Sequence, residues 1–283
     1  MDIQWFPGHM TKTGREILED LKLVDLVVEL IDARIPCSSR NPDLDELTKR
    51  KPRLLVITKT DLADPAVTAR WGDWFSNRGW KFVSVNARTG QGTGSVFRAA
   101  EEILWDKINK DRQKGINRKI RMMICGVPNV GKSSLINRLS GRSSAKTGDR
   151  PGVTRGKQWI RLKNGYELLD TPGILWPKFE SKQIGLHLAF TGAVKDDIVD
   201  LEELACELIH CLRRDYSKAL CARYQLESLK ETDYQVLEQI SFQRGFMMRG
   251  GAADLRRGAA VVLDEFRGAM LGEISLEKPE EYA

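Results

Sequence analysis

No stretch of this 283-residue sequence approaches the roughly 18 consecutive apolar residues of a membrane-spanning helix, so an integral membrane protein is not expected. The start, Met1-Asp2-Ile3-Gln4-Trp5-Phe6, lacks the charged-then-apolar layout of a secretory signal and the Arg/Ser richness of a transit peptide. Cysteine is sparse and odd in number: Cys37, Cys125, Cys206, Cys211 and Cys221, with no CxxC pair. That excludes a disulfide framework and argues against a zinc site, leaving free thiols in a reducing compartment. Internal repeats and low-complexity tracts are also missing. These absences predict a cytoplasmic protein with no membrane partner, expected to be a monomer in isolation.

Apolar content of 41% beside 30% charged residues is ordinary for a globular chain. The length suits one medium domain and a smaller one. The net charge of +6 is unevenly spread. Residues 200–283 carry 11 Lys/Arg against 16 Asp/Glu, which leaves 34 against 23 for residues 1–199. A positive first part suits a polyphosphate ligand and also nucleic acid.

Strand-like runs at 24–32, 53–58, 81–85 and 120–125 alternate with helical patterns at 11–21, 42–50, 65–78 and 94–110. The alternation predicts an α/β sheet with right-handed crossovers. Residues 106–119 are polar, interrupted by Gly115, and read as an exposed connector. Residues 159–162 and 166–170 form a hairpin-like pair around Lys163-Asn164-Gly165. From about 198 the pattern is helical, with Leu201, Leu204, Ala205, Leu208, Ile209 and Leu212 on one face. The expected division is a nucleotide-binding domain over 1–180, a linker over 181–199 and a helical domain over 200–283.

Gly126-Val127-Pro128-Asn129-Val130-Gly131-Lys132-Ser133 fits the phosphate-loop pattern GxxxxGK[ST], between a strand and the helix-like Ser134-Leu135-Ile136. Glycines let backbone amides from Asn129 through Val130, Gly131, Lys132, Ser133 and Ser134 converge on phosphate oxygens, and the helix N-terminus adds positive potential. Lys132 is expected to bridge the β- and γ-phosphates, and the Ser133 hydroxyl to hold Mg²⁺. Asp170-Thr171-Pro172-Gly173 closes an apolar strand. There Asp170 is expected to hold Mg²⁺ through water, and the Gly173 amide to meet the γ-phosphate. Between them, Thr154 is the candidate switch threonine that completes the metal shell. Lys132 and Thr154 are accordingly also counted as catalytic.

Thr58-Lys59-Thr60-Asp61 selects the base, since it follows a strand and fits [NT]KxD. The Asp61 carboxylate accepts from guanine N1–H and the 2-amino group, a donor pair adenine lacks, and such sites discriminate by about 10⁴ or more. Lys59 covers the base with its stem. Asn86-Ala87-Arg88 follows the third strand in the manner of a Ser-Ala-Lys turn, whose backbone amides meet guanine O6. Together the motifs point to GTP over ATP.

The motif order is inverted: base-reading first, phosphate loop last. With this order, and with Trp5-Phe6-Pro7-Gly8-His9-Met10, Asp32-Ala33-Arg34-Ile35-Pro36, Ser39-Arg40-Asn41-Pro42 and Asp170-Thr171-Pro172-Gly173-Ile174-Leu175-Trp176-Pro177, the chain resembles the circularly permuted GTPases of the YlqF/YawG type over roughly residues 1–180. The 106–119 connector would join the former chain ends. The resemblance implies a GTPase assisting late assembly of the large ribosomal subunit, its helical domain touching rRNA.

After DTPG stands Ile174, where many GTPases carry a water-orienting glutamine, so intrinsic hydrolysis should be slow. The resemblance makes His9 a candidate to orient the water, against a plain structural role. Asn129 resembles the asparagine of potassium-stimulated GTPases, which admits K⁺ beside Mg²⁺, or an asparagine that only shapes the loop. In the tail, Arg244, Arg249, Arg256 and Arg257 cluster near Gly245-Phe246-Met247-Met248 and Gly250-Gly251, which suits an RNA backbone or simply a solvated face. Two alternatives stay open: a GTP-gated RNA-binding module that barely hydrolyses, and a GTPase with another RNA or protein target.

Overall fold

The β-rich runs assemble into one sheet because parallel strands covered on both faces need near-continuous apolar sequence. All seven residues of β1 (Leu26–Asp32) are buried. Around it lie β2 (Arg53–Thr58), β3 (Phe82–Ser84), β4 (Ile120–Gly126), β5 (Gln158–Arg161) and β6 (Tyr166–Asp170), in the order β3-β2-β1-β4-β6-β5. Every pairing is parallel except β5 with β6, the expected hairpin pair. This computed structural model describes residues 10–141, 158–162, 165–171, 173, 175 and 179–282, with the backbone alone over 10–16.

From β1 the chain runs outward through β2 to β3, then returns to β4 on the other side of β1. Ligands of open α/β sheets bind in the crevice at such a switch point, beyond the strands' carboxyl ends. Here that crevice lies between Asp32 and Gly126. One sheet face carries α1 (Met10–Leu23), whose Ile17 and Leu21 pack with Val27, Met123 and Leu169. Beyond β2, α3 (Pro65–Asn77) starts on the Asp64 cap and buries Trp71 and Phe75 against Ile31, Leu55 and Ile57. Short α2 (Pro42–Leu47) is capped by Asn41.

The pattern at 94–110 is two helices rather than one, α4 (Thr93–Ile103) and α5 (Trp105–Gln113), with the break at Leu104. No residue of α5 is buried, so the connector is exposed as expected, although half of it is helical. The phosphate loop leads into α6 (Lys132–Ser140).

The expected linker at 181–199 is corrected. It contains α7 (Lys182–Phe190), in which Gly185, Leu186, His187, Leu188, Ala189 and Phe190 are all buried. A helix buried over its last two turns on every side belongs inside a protein, not between domains. It packs against α8 (Leu201–Asp215) and α11 (Leu255–Arg267), which with α9 (Ser217–Tyr224) and α10 (Asp233–Gln243) form the helical part. The predicted α8 face is buried apart from half-exposed Leu201.

The 200–283 boundary also changes. Residues after α11 fold back onto the sheet region: the Ile274 amide donates to Leu62 O and the Leu276 amide to Arg34 O. The indole of Trp71 reaches Glu277 O at 3.1 Å. One apolar core runs from Leu26 and Ile124 through Leu188 and Phe190 to Val262 and Leu276.

Because that core is shared, Phe190→Ala should cost about 3–5 kcal/mol and lower the temperature of a single unfolding transition. Two separated transitions by calorimetry, only one of them shifted, would instead mean independent domains.

Candidate functional site

At the end of β4 the chain cannot continue as strand, and glycine is required. Gly126 has φ +152°, and a Cβ there would lie 2.7 Å from Leu30 O. Gly131, at φ +101°, precedes α6 with no side-chain cap, which leaves the first helical amides to an outside acceptor. Lys132 turns back over the loop and donates to Gly126 O at 3.0 Å and Val127 O at 2.9 Å. Burial pushes its pKa down to about 8, against the opposing Asp170 charge. Ser133 is half-buried and Ser134 exposed on the first turn.

Asp170 ends β6 opposite Ile124 of β4, and the Thr171 hydroxyl donates to Ile124 O at 2.8 Å. This pins DTPG beside the phosphate loop. Gly173 sits so close that a Cβ would lie 2.7 Å from Pro128 Cα and 3.0 Å from the Lys132 ammonium. Asp170 is fully buried, and neither carboxylate oxygen has a well-formed hydrogen bond among the described residues. Burial raises its pKa, while the Lys132 charge and the Gln158 amide work against the rise.

The base-reading motifs come together at the ends of β2 and β3. Asp61 is 23% exposed and has the Arg88 guanidinium 3.9 Å away, so the two motifs face each other. The Asn86 side chain is buried and closes its own turn, accepting from the Arg88 and Thr89 amides at 2.9 and 3.1 Å. Its backbone amide donates to Gln91 O, whereas the Ala87 amide has no partner among the described residues. Ala87, not Asn86, is therefore the amide able to meet a base oxygen. Thr58 is corrected likewise. Its buried hydroxyl lies 2.6 Å from Val130 O and 2.9 Å from Ile31 O, tying the base loop to the phosphate loop instead of facing a base.

Asn129 takes φ +55°, rare for a residue with a side chain, and its amide nitrogen donates to Thr191 O at 3.1 Å. The phosphate loop is thereby tied to the end of α7. Next to it, Gly192 has φ +74°, and a Cβ there would be 3.0 Å from that same nitrogen. Arg267 of α11 donates to Phe190 O and Ala189 O at 3.0 and 2.9 Å and pairs with Asp196.

Three further contributors went unassigned in the sequence. Asp32, at the carboxyl end of β1, pairs bidentately with Arg34 at 2.9 and 2.7 Å and reaches Lys59 at 3.3 Å. Although burial opposes ionisation, Arg34 and Lys59 hold this carboxyl well below the usual carboxylate range. Arg34 also lies over the Phe266 ring of α11. The buried Glu277 carboxylate accepts from the Cys37 and Ser38 amides and from the Ser38 hydroxyl, and lies 3.1 Å from His187 Nδ1. Asp-Ala-Arg at a strand end was the available signal for the first two, and Glu277 had none.

Of the tail arginines, Arg244 pairs with Glu265 at 2.7 Å and packs on Tyr224, so it serves the helical fold rather than an outside ligand. Arg249, Arg256 and Arg257 are exposed beside Met247 and Met248, with Arg257 over Phe246 at 4.4 Å. A backbone bridge between Met247 and Ala253 brings the two halves of this loop together. His9, Thr154 and Ile174 lie outside the described residues.

A family profile described as 50S ribosome-binding GTPase matches residues 121–241, starting at β4 and so leaving the base-reading motifs ahead of it. Ribosome biogenesis GTPase A of Bacillus cereus is 47% identical over all of this chain and 96% of its own length. This chain belongs to the ribosome biogenesis GTPase A family. The mouse mitochondrial ribosome-associated GTPase 1 is 33% identical over 97% of the chain and 90% of its own length. The GNP-bound crystal structure of YlqF from T. maritima superposes with a TM-score of 0.68 at 27% identity, over 95% of this chain and 99% of that one. The sheet with its flanking helices and helical C-terminal part is thus a shared GTPase fold. Among the described residues, no helix is long and apolar enough to cross a membrane.

Two outcomes follow from this geometry. Bound phosphate raises the Lys132 pKa, so affinity is complete below pH 8 and falls as pH rises through that value. From about pH 7 to about pH 8.5, GDP affinity measured calorimetrically should drop about fourfold. Gly192→Ala strains a positive φ and pushes on Asn129, so it should cost about 1–2 kcal/mol in thermal stability and weaken GDP binding several-fold. Unaltered GDP affinity would show that the Asn129 contact does not shape the loop.

Proposed function

We propose that the crevice binds guanine nucleotide with its phosphates at Asn129–Ser134 and its base between Asp61, Lys59 and the Ala87 amide. The chain is a GTPase of ribosome biogenesis, and we assign it to late assembly of the large subunit. The observation that carries the site reading is the meeting of Gly173, Lys132 and Asp170 at the phosphate loop, with Asp61 and Arg88 facing each other at the other end.

Members of GTPase families generally use Mg²⁺, and the residues here suit it. Asp170 is a buried carboxylate short of hydrogen bonds, close to the turn that carries Ser133. No group of three or more His, Cys, Asp or Glu able to hold a metal occurs among the described residues, which fits an ion held mainly by phosphate and water. When bound, Mg²⁺ neutralises charge between the β- and γ-phosphates. Ser133, Asp170 and Thr154 are its assigned protein partners. Asn129 keeps its side-chain oxygen free of partners among the described residues, and we assign that oxygen to a K⁺ ion.

Lys132 exchanges its two carbonyl partners for phosphate oxygens and stabilises charge on the transferred group. Ile174 cannot hydrogen-bond to water, so His9 is assigned to orient it once the ribosomal partner orders the site. The rRNA contact is assigned to Arg249, Arg256 and Arg257, in a cytoplasmic protein that is monomeric when free. Asn129, Thr191 and Arg267 carry a change at the phosphate loop into the helical part.

GTP turnover with and without purified large subunits tests this reading. Stimulation of tens-fold is expected, together with co-sedimentation that differs between GTP and GDP, and His9→Ala should abolish the stimulation while leaving nucleotide affinity unchanged. Binding without stimulation would favour a GTP-gated factor in which hydrolysis matters little. No binding in either nucleotide state would sink the ribosomal assignment.

A further inference from the structure

The connector created by the permuted order holds six Lys/Arg and two Asp between residues 106 and 119. Residues 112–119 are all exposed. Lys110, Arg112 and Lys114 have no acidic partner among the described residues. A cleft of about 370 Å³ lies between this connector and the β5–β6 hairpin, with Lys107, Arg112, Arg118 and Lys119 on its wall beside Asp25, Glu101 and Asp111.

The positive surface continues onto the sheet. Arg161, Glu167 and Arg121 stand side by side across β5, β6 and β4. The single carboxylate of Glu167 serves three cations: Arg121 at 3.0 Å, Lys119 at 3.2 Å and Arg161 at 3.6 Å. Two residue pairs along, Trp159 of the outer strand is 41% exposed and has the Arg121 guanidinium 5.1 Å from its ring centre. Charge on an edge strand protects it from pairing with other chains, which accounts for Arg161. It does not account for the unpaired cations of the connector, nor for a large aromatic left open beside them.

We propose that the connector and β5 form an RNA-binding surface separate from the arginine loop of the helical part. Lys110, Arg112, Lys114 and Lys119 take backbone phosphates there, and Trp159 stacks a base of an unpaired segment, with Arg121 beside it. An aromatic face among cations fits single-stranded RNA, whose bases offer π-faces at phosphate spacing. β4 separates the connector from the phosphate loop by its full length, about 20 Å, whereas Trp159 pairs with Leu169, next to Asp170. The connector therefore holds its phosphates equally in both nucleotide states, while the helical part responds to the γ-phosphate. The inference deepens the ribosomal reading, on which it rests for the source of the RNA.

A short fluorescein-labelled oligoadenylate, titrated with the full chain at several salt concentrations, provides the test. Joint replacement Lys110→Gln, Arg112→Gln and Lys114→Gln should reduce the log–log salt slope by about two. Trp159→Ala should weaken binding about fivefold or more with the slope unchanged, and Trp159→Phe should restore most of the loss. GDP affinity should stay the same in every variant, and the salt slope should be equal with GDP and a GTP analogue. Unchanged slope and affinity would overturn the proposal. So would inorganic polyphosphate competing fully while Trp159→Ala has no effect, which marks a plain polyanion patch. Variants that keep oligoadenylate binding but lose large subunits would place a ribosomal protein here instead, and the RNA assignment would fall. Failure of the ribosomal reading itself is seen separately, as wild-type protein that does not co-sediment with large subunits.

Discussion

A single buried carboxylate, Asp32, stands where the nucleotide crevice and the helical part meet. It closes β1 at the switch point of the sheet, and its charge is balanced by Arg34 and Lys59. The two cations that converge on this buried anion each reach a different part of the molecule. Lys59 belongs to the base-reading loop, while Arg34 lies under Phe266 of α11 and its carbonyl receives the C-terminal segment. Removing one partner of such a buried set leaves the others uncompensated, at a typical cost of about 3–5 kcal/mol. The ion set thus does more to fix the relative position of base loop and helices than to add net stability.

The phosphate end is tied to the helices by a second and independent route. Asn129, held in a left-handed conformation, bonds the end of α7, and Arg267 of α11 caps the same helix end. Both ends of the nucleotide site therefore touch elements of the helical part, across a continuous apolar core. In a chain whose motifs ran in the usual order, DTPG would lead into more sheet. Here it leads into α7 within a few residues, so the helices sit against the loops that read the nucleotide. Packed cores shift between discrete arrangements rather than deforming smoothly, which makes this contact suited to a switch.

Much of the site was legible because its parts are local. A phosphate loop needs glycine at fixed positions between a strand and a helix, and those requirements appear in consecutive residues 126–133. The same holds for Thr58–Asp61 and Asp170–Gly173. Misreadings arose where a side chain's partner is remote. Thr58 answers to Val130 and Arg244 to Glu265, and neither spacing has a local signature. The 181–199 segment read as a linker because it lies between two stronger patterns, although its Leu186–Phe190 run is buried on all sides.

By itself the sequence determined the α/β class, the inverted motif order and the GTPase activity, and it named the candidate residues for base and phosphates, because backbone conformation and hydrogen-bond chemistry at those points depend on neighbours in the chain. Only the tertiary structure decided that the helical part shares the sheet's core, that Glu277 returns to hold Cys37 and Ser38, and that Asp32 joins base loop to helices. Those outcomes depend on burial, and burial sets the cost of every charge and unpaired amide by what packs over it from distant parts of the chain.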